Sequence, residues 1–302
     1  MPAPEDKPDR PHRRLSLGLI GFGAFGRLAA HHLSPHFDLR VFDPAFAGSA
    51  GLAETAGCEV VVIAVPVAHM ADTLKTLAPH VRSGTLVLDV GSAKVEPARL
   101  MRELLPSHVD IVATHPLFGP QSARDGVRGL KIALCPVSGG RHRLVAAFLR
   151  IALGLKVITT TPDAHDRDAA LSQGLTHLIA KVLVKMEPLP EMITTRSFDL
   201  LYEAVEMVRH DPPQVFDAIE RLNPYALEVR RRFFDLASAL DAELHQSVIV
   251  LERDATTWDR RAASGQLSSS PHHEEQRCPP PHRMTSPAGN SFAPARPSSG
   301  KT

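Results

Sequence analysis

Seven short apolar runs, separated by stretches of helical periodicity, restrict what this chain can fold into. They read LSLGLIG, DLRVFD, CEVVVIAVP, GTLVLDVG, VDIVAT, KIALCPV and LKVITTT. A strand with one wet face alternates apolar and polar residues. These runs are apolar almost throughout, so the sheet they build is covered on both faces. Strands alternating with helices make that sheet mainly parallel. The pattern begins at Leu15 and stops near Thr161. After Pro162 the text is helical with little interruption. Leu171, Leu175, Leu178, Ile179 and Val182 recur at helical spacing and are expected to pack a core. Asp163, directly after Pro162, suits a helix start. Further helices are expected around 197–208, 213–222 and 225–251. The expectation is an α/β domain over 15–161 followed by an all-helical domain over 162–251.

The two ends differ from this middle. Residues 1–14 are polar and Pro-rich, and residues 252–302 are rich in Pro, Ser and His. Neither buries enough apolar surface to fold alone, so both are expected to be disordered. His272 and His273 have no spaced partner, and no metal site is expected. Over the whole chain, 43% hydrophobic residues suffice for a sizeable core. A net charge of +1 without a basic stripe argues against a nucleic-acid partner. No apolar run approaches the roughly 20 residues that span a bilayer, and the first residues lack the apolar core of a secretory signal. The expected location is the cytoplasm. Cys58, Cys135 and Cys278 lie far apart and are expected to be reduced thiols.

Residues 21–26 read GFGAFG, between the first apolar run and a helical pattern. This is G-x-G-x-x-G in the strand–turn–helix setting that gives it meaning. Gly21 permits the tight turn, Gly23 lets a pyrophosphate approach the backbone, and Gly26 lets helix and strand pack closely. The N–H groups at Ala24 and Phe25 open the helix, where an anion is favoured. The second run ends in Asp43, twenty residues after Gly23. A carboxylate there suits the two ribose hydroxyls of NAD and repels the 2′-phosphate of NADP. The third run ends in Val65 and Pro66, at the lip of the same crevice. These features indicate a Rossmann-like dinucleotide-binding domain that takes NAD in preference to NADP.

Two further strand ends carry chemistry. Ser92 and Lys94 lie in DVGSAK, and His115 opens HPLFGP, a loop with Phe118, Gly119 and Pro120. Carboxyl ends of parallel strands are where such sheets bind ligands, which marks His115 and Ser92 as catalytic candidates. Farther on, Asp166, Gln173 and His177 are spaced i, i+7, i+11. On one regular helix they point within about 20° of one direction. Such a polar stripe is either a solvated face or the wall of a site.

GFGAFG, DVGSAK, HPLFGP, HDRDAALSQGLTH (165–177) and TTRSFDLL (194–201), in this order and spacing, resemble the prephenate/arogenate dehydrogenase family, nearest to its short plant-like arogenate form. The resemblance covers about 15–245. It implies an NAD-dependent oxidative decarboxylation that yields 4-hydroxyphenylpyruvate from prephenate or tyrosine from arogenate. His115 is then the proton acceptor for the C4 hydroxyl, with Ser92 holding the same hydroxyl or orienting His115. The polar stripe becomes a site wall, and Gln173, Thr176 and His177 become substrate contacts. The substrate carboxylates need a cation. Arg196 is the first candidate, with Arg124, Arg128 and Lys94 beside it. The resemblance also implies a homodimer built by the helical domain. A β-hydroxyacid-type dehydrogenase would instead use Lys181 or Lys185 and leaves HPLFGP without a role. A non-catalytic NAD-binding module would require a ruined site, whereas Ser92, His115 and His177 are all present.

Overall fold

The computed structural model describes residues 13–263, with side chains as far as residue 246. The expectations for residues 1–12 and 264–302, including Cys278, His272 and His273, lie outside the described residues.

Seven strands form one sheet: β1 (Ser16–Ile20), β2 (Asp38–Phe42), β3 (Val60–Ile63), β4 (Leu86–Asp89), β5 (Asp110–Pro116), β6 (Lys131–Ser138) and β7 (Lys156–Thr159). Their order is β2-β1-β3-β4-β5-β6-β7. The first five run parallel, β6 is antiparallel to β5, and β7 is parallel to β6. In register, Leu17 lies beside Val60, and Val60 beside Leu86. The central strands are buried along their whole length, as their unbroken apolar runs require.

Alternation sends successive residues to opposite faces. Val61, Ile63, Val87, Ile111 and Ala113 pack under α2 (Leu52–Ala56), α3 (Met70–Leu77) and α4 (Val95–Leu104), against Leu74, Leu77 and Met101. Leu17, Leu19, Val62, Leu88 and Val112 pack on the other face, under α1 (Ala24–Leu33) and α5 (His142–Ile151). Each fully buried Leu, Val or Ile stabilises this core by about 1.5–3 kcal/mol. Between α1 and α5 runs an apolar trough of about 670 Å³ that includes Leu28, Val62, Leu88 and Phe148.

Among the described residues, every regular element after β7 is helical. These are α6 (Pro162–Ala169), α7 (Leu175–Lys185), α8 (Arg196–Arg209), α9 (Pro213–Asp217) and α10 (Ala226–Ala263). Thr161 caps α6 by accepting from the Ala164 N–H at 3.2 Å, with Pro162 in the first helical position. Thr195 caps α8 through the Phe198 N–H at 3.3 Å. Helix α10 continues past Glu252, where composition alone suggested a break. ERDATTWDRRAA carries good helix formers and neither Gly nor Pro. By contact density the chain divides within α10, with one compact unit reaching Leu240 and a second starting at Asp241.

The helix expected from Asp163 onward is not regular. Between α6 and α7 lies a π-helical turn, Ala170–Gly174, and a second one, Ala218–Leu222, follows α9. The two turns meet where a side chain on Gly174 would lie 3.1 Å from a Glu220 carboxylate oxygen. Glu220 is buried and paired with Arg230 at 2.7 Å. A π turn adds one residue, so α7 is rotated by about 100° relative to a straight continuation of α6. Asp166 and His177 therefore do not share the single line that regular spacing implied. Leu171 and Val182, expected in the core, are exposed.

Candidate active site

The Gly-rich turn stands at the carboxyl end of β1. Gly21 adopts φ +99, and a Cβ there would meet the Ala64 carbonyl oxygen at 2.7 Å. A Cβ on Gly26 would lie 2.3 Å from the Gly21 carbonyl oxygen. Only glycine fits at these two positions. Gly23 and Ala24 are exposed, nothing lies within 4 Å of where a Gly23 side chain would be, and no side chain caps α1. Open N–H groups at a helix start, with room above the backbone, fit the pyrophosphate of a dinucleotide. Asp43 lies just beyond β2. Its carboxylate accepts the Phe22 N–H at 2.6 Å and the Ala45 N–H at 2.8 Å, so it braces the Gly-rich turn. Val65 is half-buried and Pro66 exposed after β3. Phe25 and Phe118 approach to 6.3 Å between ring centroids, which brings the turn beside the loop after β5.

His115 lies within β5, which extends to Pro116 rather than ending before the histidine. It is buried, and its Nδ1 meets His165 Nε2 at 2.9 Å. Nε2 makes no hydrogen bond among the described residues. Burial, then the neighbouring His165 and Lys94, hold its pKa well below the ordinary imidazole value. His115 is therefore neutral at working pH, as a proton acceptor must be. Ser92 is half-buried in the turn before α4, and its hydroxyl makes no hydrogen bond among the described residues.

Lys94, considered above as a carboxylate anchor, is 0% exposed. Its ammonium bonds the Asp89 carboxylate and the Thr114 carbonyl oxygen, the latter at 2.6 Å. Asp89 also accepts the Gly91 N–H at 2.9 Å and the Thr114 N–H at 3.2 Å. Lys94 thus joins β4 to β5 at the residue before His115 and is spent on that task. Asp166 is fully buried as well. It accepts the Lys94 N–H at 2.7 Å and the Val95 N–H at 2.8 Å, capping α4 from seventy residues away in sequence. The Asn223 side chain donates to its backbone carbonyl at 2.7 Å.

His177 is buried on α7, 6.4 Å from Phe216 ring to ring, with Nε2 3.8 Å from Asp211. Burial, then Lys181, lower its pKa to about 4, so the ring is neutral and this contact is not an ion pair. Burial pushes the Asp211 carboxyl up, against the pull of Lys181. Asp211 also lies 3.7 Å from where a side chain on Gly119 would begin, so His177 and the HPLFGP loop share a neighbour. Gln173 is half-buried in the π turn, with Oε1 buried and without a hydrogen-bond partner among the described residues. The Thr176 hydroxyl bonds the Ser172 carbonyl at 2.9 Å. Arg196 is exposed on the first turn of α8 and pairs with Glu203 at 3.2 Å. Arg124 is exposed beside Asp125, and Arg128 lies against Gly154.

Comparison with known proteins adds an independent line. Residues 43–161 match the nucleotide-binding domain of prephenate dehydrogenase. Over 256 residues the chain is 30% identical to arogenate dehydrogenase 2, chloroplastic, of Arabidopsis thaliana, covering 77% of this chain and 72% of that protein. The chain belongs to the prephenate/arogenate dehydrogenase family. A probable arogenate/prephenate dehydrogenase of Methanocaldococcus jannaschii is 28% identical over 189 residues, 59% of this chain and 42% of that protein. Prephenate dehydrogenase from Aquifex aeolicus, solved with hydroxyphenyl propionate and NAD⁺, shares the fold. Its TM-score is 0.63 at 16% identity, over 85% of this chain and 99% of that one. As a member of this oxidoreductase family, the chain carries its Gly-rich turn just ahead of the matched stretch.

Sequence reasoning passed over His165 and Asp89. His165 sits inside the quoted HDRD segment but off the polar line drawn through Asp166. Its signal was adjacency to a carboxylate. Asp89 reads as the end of an apolar strand, and four residues separate it from the lysine it neutralises.

Proposed function

We propose that this dehydrogenase converts prephenate, arogenate or both by oxidative decarboxylation with NAD⁺, in tyrosine biosynthesis. One observation carries the reading. In a chain of this family, a buried neutral imidazole, His115, stands at the carboxyl end of β5 with one ring nitrogen anchored and the other without a partner among the described residues.

The substrate loses hydride from C4 and CO₂ from C1, and its ring becomes aromatic. NAD⁺, when bound, accepts the hydride. His115 takes the proton of the C4 hydroxyl as that carbon gains carbonyl character. Electrons released with CO₂ then restore the oxygen's charge, and the proton returns, so none is gained or lost overall. Ser92 hydrogen-bonds the same hydroxyl. Gly21, Gly23, Ala24, Phe25, Gly26, Val65 and Pro66 line the cofactor, and Asp43 receives the adenosine ribose, which favours NAD over NADP. Gln173, Thr176 and His177 form the substrate wall, and Arg196 supplies the cation for a carboxylate. His177, being neutral, contributes hydrogen bonds and no charge.

Residues 15–161 form the cofactor domain and 162–251 the substrate domain, which also pairs two copies into a homodimer. The buried thiols of Cys58 and Cys135 fit a reducing cytoplasm. No described helix is long and apolar enough to cross a membrane. Purified protein with NAD⁺ is expected to form NADH, followed by absorbance, on addition of prephenate or arogenate. Silence with both substrates, while NAD⁺ still binds, would overturn the reading.

A further inference from the structure

Three buried side chains run in series, beginning with the catalytic candidate. His115 Nδ1 meets His165 Nε2 at 2.9 Å, and His165 Nδ1 meets Asp166 Oδ1 at 2.7 Å. All three residues are at most 6% exposed. The hydrogens in this series follow from valence. An ionised carboxylate only accepts, while a neutral imidazole has one donor nitrogen and one acceptor nitrogen. Both Asp166 oxygens already accept backbone N–H groups at the start of α4. Imidazole is the stronger base of the two, so the proton shared with Asp166 sits on His165 Nδ1. That makes His165 Nε2 the acceptor, and His115 Nδ1 must donate to it. Which nitrogen of a histidine is protonated is set by the hydrogen bond the other one makes.

We infer that Asp166, acting through His165, holds His115 as its Nδ1–H tautomer and so presents a bare Nε2 lone pair to the substrate hydroxyl. The inference rests on the reading of His115 as the proton acceptor. His165 and Asp166 are positioning residues and touch no reacting atom. The backbone N–H groups of Lys94 and Val95 fix the carboxylate, because a helix start holds it in place. Asp166 thereby ties α6, the cap of α4 and the protonation pattern of two rings into one unit. The opposite tautomer would place a hydrogen on Nε2, where the substrate proton has to go.

The test is His165→Phe read by two methods. Phenylalanine keeps the bulk of the ring but removes the acceptor for His115 Nδ1, while the Asp166 oxygens keep the Lys94 and Val95 N–H groups. His115 is then no longer held to one tautomer, and kcat is expected to fall, by no more than the roughly 10²–10⁴-fold of losing the acid–base group outright. Nitrogen-15 NMR of histidine-labelled protein, with His115→Gln and H165F to assign the signals, reads the tautomers without substrate. The unmodified protein is expected to show a protonated Nδ1 and a bare Nε2 at both His115 and His165, and H165F a mixture of the two tautomers at His115. A protonated Nε2 at His115 in the unmodified protein, including one facing a doubly protonated His165, overturns the inference. So does a pure Nδ1–H tautomer in H165F. If H165F does not fold, the spectrum of the unmodified protein still decides. If prephenate and arogenate are both inert, the functional reading fails, while the tautomer measurement stands by itself.

Discussion

The stretch up to Thr161 and the helices from Pro162 to Leu240 bury their interiors in different ways. The first fills two layers with large aliphatic side chains, and Leu17, Leu19, Ile63, Leu74, Met101 and Leu134 are shut away completely. The second buries small residues, Ala169, Ala170, Ala180, Ala218 and Ala226, with Val205 and Ile219 as its larger aliphatics. Around them it buries polar groups: His165, Asp166, His177, Glu220 and Asn223. Its large apolar side chains face outward instead, among them Met186, Leu200, Phe234, Leu236 and Leu240, with Leu236 61% exposed. The sheet region buries most of its large aliphatic side chains within itself, whereas the helical region leaves many of its own exposed, as the proposed homodimer would require.

Four measurements sharpen or break this contrast, in order of expected effect. His115→Ala removes the proposed proton acceptor from the sheet region. Turnover is expected to fall roughly 10²–10⁴-fold with NAD⁺ affinity largely unchanged; near-normal turnover would remove His115 from the chemistry. Lys94→Met removes the ammonium that holds the Asp89 pKa down against burial and leaves that carboxyl unmatched in the sheet core. A loss of about 3–5 kcal/mol in urea unfolding is expected, the range for a broken buried pair. A loss below about 1 kcal/mol would mean that this core tolerates an unmatched carboxyl.

Phe234→Asp with Leu236→Asp probes the other side of the contrast. Light scattering is expected to report a dimer before the change and a monomer after it, with faster amide exchange in α7–α9 and little change in β1–β5. An unaltered mass would mean that these side chains belong to no interface. Acid titration reaches both regions at once. His115 and His177 are both harder to protonate folded than unfolded. Below the ordinary imidazole value the unfolded chain binds more protons, so stability falls as pH drops. For His177 the loss runs down to its folded value of about 4, at no more than about 1.4 kcal/mol per pH unit per ring. Urea midpoints at several pH values check it, and His177→Gln is expected to flatten the slope. A midpoint constant across that range would place both rings in ordinary surroundings.

The strands were legible because a doubly covered sheet needs unbroken apolar runs, and the Gly-rich turn because Gly21 and Gly26 stand where no side chain fits. The reversal of β6 was not legible, since KIALCPV reads alike in either direction. The π turn at Ala170–Gly174 hid behind regular spacing, because an added residue leaves composition untouched. Lys94 read as a pocket cation because its neutralising partners, Asp89 and the Thr114 carbonyl, come from two other positions in the chain. Asp166 stood out in the text, yet its partners did not, because both N–H groups it caps belong to a helix more than seventy positions earlier.

The wide turn before α7 also makes this stretch a ruler. Deleting Ser172 would let the segment close into ordinary helix with His177 still facing Asp211, whereas straightening it with every residue kept would carry His177 about 1.5 Å along the axis and swing it by about 100°. His177 would then leave Asp211, although Asp166 would stay on α4. Ten residues separate Asp166 from His177. Their identities can vary at the exposed positions, and the turn takes up the one that ordinary helix has no room for.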